Sequence, residues 1–164
     1  MNFEFSDEQN MLREQAQSFL KAECPPQAVR TVLDGDAAFD QRLWQKVVDM
    51  GWTATVIPEE YDGLGLSYLE LSVIAEELGR CLAPLPFSSS VYLATEAILA
   101  AGTDAQKAAW LPKLASGAVI GCLADSEANG HLTAAKLTTR YAQGAITGVK
   151  LPVADGDVAD FAVV

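Results

Sequence analysis

GAVIGCLADSEANGH, residues 117–131, is the stretch at which this chain changes its period. Upstream of Gly117, apolar residues recur every three or four positions, as on one face of a helix. From Ala118 to Ala124 they form a short unbroken run, bounded by Gly117 and by Asp125-Ser126-Glu127. Such a run suits a buried strand better than another helix. Asn129-Gly130-His131 then reads as a polar turn. The chain is therefore expected to be mainly α. An N-terminal helical bundle over residues 1–117 leads into the start of an antiparallel β domain at 118–164, incomplete at its C-terminus.

Working back from Gly117, three capping boxes mark helix starts: Ser6 to Gln9, Ser67 to Glu70 and Thr103 to Gln106. In each, a hydroxyl accepts from an orphan amide while the residue three places on reaches back to the cap. Behind the first, Leu12, Ala16, Phe19 and Leu20 keep helical spacing up to Pro25-Pro26, which can also open a second helix ending near Asp34-Gly35. Asp40 to Met50 fits a third, with Leu43, Trp44, Val47 and Val48 as its stripe and Gly51 as its stop. The connection from Trp52 is expected to pack its apolar part and to turn at Asp62-Gly63-Leu64-Gly65. The helix after Ser67 would place Leu71, Ile74, Ala75, Leu78 and Leu82 on one face. Ser88 to Ala101 is apolar nearly all round, the mark of a buried helix. In the last helical stretch Pro112 is expected to break the run that carries Trp110, Leu111 and Leu114. The core is predicted at Leu12, Phe19, Trp44, Val48, Leu71, Ile74, Leu78, Leu93, Ile98 and Leu111.

Working forward, Leu137 to Tyr141 and Ala145 to Val149 are strand candidates around a Gln143-Gly144 hairpin turn. Phe161 to Val164 is another, after a turn at Asp155-Gly156-Asp157. An apolar edge at Asp160-Phe-Ala-Val-Val164 invites pairing. It predicts that the chain is a piece of a longer protein or that something else covers that edge.

Composition narrows the function classes. Half of the 164 residues are hydrophobic and 20% are charged, enough for a packed core. The net charge of −11 repels phosphate backbones and anionic lipid, so neither nucleic acid nor a membrane is an expected partner. No apolar run reaches the length of a membrane span. Cys24, Cys81 and Cys122 are separated in sequence and form no CxxC pair. They read as reduced structural residues of a cytoplasmic protein, with no metal site.

Candidate chemistry is sparse. His131 is the single histidine and sits on a polar turn. The Asp62-Gly63-Leu64-Gly65 glycines lack a preceding strand, so they make a weak phosphate cradle. Glu59-Glu60 and Glu76-Glu77 are sequence neighbours that do not face each other on a helix, and read as solvated faces. Arg80 follows Glu76 by four positions, the order that favours a helical ion pair.

The segments carry more in their order than alone. FSDEQNMLREQAQSFL (5–20), WQKVVDMGWTATVIPEEYDGLGLSYLELSVIAEELGR (44–80), AQKAAWLPKLASG (105–117) and ITGVKLPVADGDVADFAVV (146–164) together resemble the N-terminal portion of the acyl-CoA dehydrogenases. The resemblance implies the first helical domain and the first part of the middle β domain of a flavoenzyme. Such an enzyme uses FAD to oxidise the α,β carbon–carbon bond of an acyl-CoA thioester. A Glu takes the α proton, and a hydride passes to the flavin. That base belongs to a C-terminal bundle beyond these residues, so the resemblance assigns no catalytic residue here. It implies possible flavin neighbours at Leu123, Asp125, Ser126, Val153 and Ala154. Ser126-Glu127 matches a family Thr-Glu pair, whereas Ala128 replaces the following proline and Asn129-Gly130-His131 replaces a Gly-Ser turn. After Gly148-Val149-Lys150, Leu151 to Ala154 bring neither the family's aromatic residue nor its hydroxyl. The resemblance implies a homo- or hetero-oligomer. Its alternative is a non-catalytic subunit that keeps the fold for assembly.

Overall fold

The computed structural model describes residues 4–127 and 136–164. Ala128, Asn129, Gly130 and His131 lie outside the described residues.

Helix α1 spans Asp7–Glu23, capped by Ser6, whose hydroxyl accepts from the Gln9 amide while Gln9 reaches back. Helix α2, Pro26–Leu33, opens on Pro25-Pro26 and buries none of its residues. Helix α3, Gln41–Asp49, is capped by Asp40 and buries Leu43, Trp44 and Val47. Short 3₁₀ turns at Trp52–Ala54 and Glu59–Tyr61 fill the connection to α4, Tyr68–Arg80, which has its own capping box at Ser67. A π-helical stretch, Ser88–Thr95, runs straight into α5, Glu96–Ala101. Helix α6, Asp104–Ala115, completes the helical part.

The α1 and α4 helices lie side by side and run in the same direction. Gln9 bonds Glu70 near their starts, Arg13 bonds Glu76 further on, and Gln17 bonds Glu77 at 3.1 Å. Between them and α3 sits the main core of Leu20, Leu43, Val47, Trp52, Leu71, Ile74 and Phe87. A second core joins Ile57 and Ile98 to Leu111 and Leu114 of α6, with Phe161 packed against it. The Trp110 and Phe161 rings stack with centroids 4.2 Å apart.

Among the described residues four strands follow: β1 Gly121–Leu123, β2 Arg140–Ala142, β3 Ala145–Thr147 and β4 Phe161–Val163. β2 and β3 form the expected antiparallel hairpin, with Gln143 and Gly144 at φ 52° and 79° in its turn. β1 departs from the antiparallel expectation and pairs with β4 in parallel, Leu123 opposite Val163. The chain between them, which includes the hairpin, is long enough for the crossover a parallel pair requires.

Five other expectations need correction. Pro112 does not break its helix, since α6 continues to Ala115. The lost amide bond there is outweighed by burying Leu111, Leu114 and Ala115. Leu93 is 40% exposed rather than core. Wider π winding turns successive side chains by a smaller angle than an α-helix does, which shifts the face away from the predicted stripe. Leu82 is 73% exposed, because α4 ends at Arg80 and Leu82 takes φ 53°. Leu12, Phe19 and Val48, by contrast, do pack against the main core as predicted, partly buried at its edge. Glu77 is not solvated: it is 3% exposed, facing Arg13 and Arg80 at 3.7 and 3.4 Å. The strands are shorter than read, beginning three residues later than predicted at Gly121 and at Arg140. Glu76 does pair with Arg80, at 2.6 Å.

Candidate functional site

The residues assigned to flavin contact lie on two segments. The first leaves β1. Gly121 must be a glycine here: a Cβ would stand 2.7 Å from the Ala94 Cβ and 2.8 Å from the Phe161 ring. Its amide donates to the Ser90 hydroxyl at 3.3 Å, which fixes β1 on the π-helical stretch. Leu123 is half-buried opposite Val163, and the next amide, of Ala124, donates to the Val163 carbonyl at 2.8 Å. Asp125 is exposed and Ser126 half-buried, and the Ser126 hydroxyl lies 3.2 Å from the Asp125 carboxylate.

The second segment begins at Lys150. The Leu151 amide donates to the Ser126 carbonyl at 2.9 Å, and Lys150 Nζ donates to the Asp125 carbonyl at 3.2 Å. Beyond Leu151 the chain passes through Pro152 to Val153, half-buried, and Ala154, exposed. Asp155 then anchors the turn by accepting from the Ser89 hydroxyl at 2.5 Å. Thus Asp125 and Ser126 are tied to Lys150 and Leu151. Among the described residues, no hydrogen bond joins Val153 or Ala154 directly to Leu123, Asp125 or Ser126.

Glu127 organises the junction. Its carboxylate accepts from the amide and hydroxyl of Thr138 at 2.8 and 2.6 Å, and from those of Thr139 at 2.9 and 2.7 Å. Lys150 Nζ adds an ion pair at 3.3 Å. The Thr138 and Thr139 donors hold the carboxyl far below its usual range. The carboxylate thus clamps the end of the first segment to Thr138, Thr139 and Lys150. Sequence reasoning marked Glu127 only as half of a Thr-Glu match. Its partners stand 11 and 12 positions away, with no periodic signal to point to them.

The Ser126 hydroxyl, with its proton directed to Asp125, keeps lone pairs that can accept from a ring N–H. One such acceptor suits the single N–H on the pyrimidine edge of a flavin. Among the described residues, no group of acidic, His or Cys side chains could hold a metal ion. No described helix is long and apolar enough to cross a membrane.

A sequence profile of the acyl-CoA dehydrogenase N-terminal domain matches residues 6–118, more than half of the chain. The chain belongs to the acyl-CoA dehydrogenase family. It is 36% identical over 135 residues to the (2S)-methylsuccinyl-CoA dehydrogenase of Cereibacter sphaeroides, covering 82% of this chain and 24% of that protein. Among solved structures, the ChsE4-ChsE5 complex from Mycobacterium tuberculosis superposes with a TM-score of 0.84 at 28% identity, over 98% of this chain and 44% of that one. An FAD-dependent dehydrogenase superposes at 0.79 with 30% identity, over 99% and 43%. The chain thus spans 24% to 44% of the length of these relatives.

Proposed function

We propose that this chain is the N-terminal helical domain (1–117) and the first part of the middle β domain (118–164) of a cytoplasmic FAD-dependent acyl-CoA dehydrogenase. When bound, FAD would accept the hydride from the β carbon of an acyl-CoA thioester. Leu123, Asp125, Ser126, Val153 and Ala154 would flank the flavin, Ser126 by its hydroxyl and the others by backbone and apolar contact. No base for the α proton is assigned within these residues, because Glu127 is committed to Thr138, Thr139 and Lys150. The observation that carries the reading is the bond from the Leu151 amide to the Ser126 carbonyl, which draws the two flavin segments together.

A second reading is favoured by the residues after Lys150. Leu151, Pro152, Val153 and Ala154 offer no aromatic face to a ring. This suits a non-catalytic subunit assembled with another chain, and one structural relative is the ChsE4-ChsE5 complex. On either reading the chain alone holds FAD weakly and does not oxidise acyl-CoA. A few amides and one hydroxyl, each worth about 1 kcal/mol net, do not enclose so large a ligand.

Titrating the labelled chain with FAD while recording amide NMR spectra tests this. The expected result is weak, fast-exchange shifts confined to residues near 123–126 and 151–154. Dye reduction with a set of acyl-CoAs is expected to show no turnover. Shifts centred elsewhere would remove the site assignment. Tight stoichiometric binding or turnover would overturn the enclosure argument.

A further inference from the structure

We propose that Cys24 and Cys81 form an oxidation site, a thiol pair that closes to a disulfide when it meets a peroxide. The two cysteines are 57 positions apart in sequence, yet the Cys24 Sγ lies 3.9 Å from the Cys81 carbonyl oxygen. The parallel course of α1 and α4 explains the meeting. Cys24 caps the C-terminal end of α1, its amide bonded to Leu20, and Cys81 caps the same end of α4, its amide bonded to Glu77. Two helices pinned along their length by Gln9–Glu70, Arg13–Glu76 and Gln17–Glu77 therefore bring their caps together.

Access comes from a groove of about 790 Å³ whose walls include Leu20, Val29, Leu33 and Leu82 as well as both cysteines. Cys81 is partly exposed there, while Cys24 is 2% exposed. Burial, with the neighbouring Cys81 adding to it, pushes the Cys24 thiol up to about 12. Cys81, the more exposed of the two, is the sulfur oxidised first, and Cys24 is the resolving partner. The Cys81 thiolate takes one oxygen from hydrogen peroxide, the O–O bond breaks, and water leaves a sulfenic acid. Cys24 then loses its proton and attacks that sulfur. The S–S bond forms, and the sulfenic oxygen departs as a second water. Two thiols and one peroxide give one disulfide and two waters, with two electrons passing from sulfur to oxygen. Because α2 starts directly after Cys24 and buries none of its residues, the bond would clamp the joint on which α2 is hung.

The test is to treat the full chain with hydrogen peroxide, alkylate the remaining thiols in denaturant, and map the peptides by mass. A Cys24–Cys81 linked peptide that dithiothreitol removes is expected, with Cys122 still alkylated. Closing a loop of this length should raise the melting temperature by roughly 10 °C. In C24S, Cys81 should stop at the sulfenic acid and be trapped by dimedone. The proposal fails if wild-type Cys81 accumulates dimedone adduct without closing. It also fails if the bonds run between chains, or if the linked peptide forms no faster in native protein than in guanidinium. The wild-type readouts stand even if C24S does not fold, and they do not depend on the flavin reading.

Discussion

Gly121→Ala probes the joint that carries both β1 and the candidate flavin segment. The added methyl would stand 2.7 Å from the Ala94 Cβ and 2.8 to 3.0 Å from two atoms of the Phe161 ring. Carbon atoms rest about 3.5–4.0 Å apart, so something must move by roughly 1 Å. If β1 lifts, the 3.3 Å bond from the Gly121 amide to Ser90 is lost. If Phe161 swings, its stack on Trp110 is lost. Overpacking of this kind costs about 1–3 kcal/mol, and a broken hydrogen bond adds about 1. Replacing glycine returns about 0.4–1 kcal/mol through the unfolded chain. The expected net loss is about 1–3 kcal/mol, a fall in melting temperature of roughly 3–10 °C for a chain of this size. Thermal unfolding followed by circular dichroism, with tryptophan fluorescence reporting on Trp110, would measure it. Ala94→Gly provides the control, since removing the facing methyl should make Gly121→Ala cheaper in that background. An unchanged melting curve, or a cost that does not depend on residue 94, would refute the close approach of β1 to the π-helical stretch.

Ile74→Ala should cost about 2–5 kcal/mol, because Ile74 is 1% exposed in the main core; denaturant unfolding reads this as a lower midpoint. Glu127→Gln turns one acceptor oxygen into a donor facing the threonines, so amide exchange at Thr138 and Thr139 should accelerate while the helical core stays protected. The same clamp has a pH signature. Its carboxyl is lowered on folding from a usual value of 4.5, so its contribution is fully present above about that pH and declines as the pH falls further. Exchange protection at Thr138 that began to fail above pH 6 would contradict it.

Much of the helical part was legible in the residues alone. Capping depends on neighbours within one turn, so Ser6–Gln9, Ser67–Glu70 and Thr103–Gln106 each open a helix as their spacing requires. The same locality accounts for Asp40 at the start of α3 and for the Gln143-Gly144 hairpin. Periodicity located Trp44, Leu71, Ile74, Leu78, Ile98 and Leu111 in the core, because an amphipathic face has one side to bury. What the tertiary structure decided is what depends on distant neighbours. Parallel β1–β4 pairing is a contact between residues 40 positions apart, as in Gly121 against Phe161. The burial of Glu77 required Arg13 and Gln17 from another helix. Pro112 stayed helical because packing on both sides outweighed its local penalty, and Leu93 turned outward because the helix wound more widely than its composition signals. Glu127 found Thr138, Thr139 and Lys150, and Cys24 found Cys81, by the same rule. Local chemistry is written within a turn of chain, whereas these partners meet only when the helices and strands have packed, and no short-range pattern in the sequence encodes that meeting.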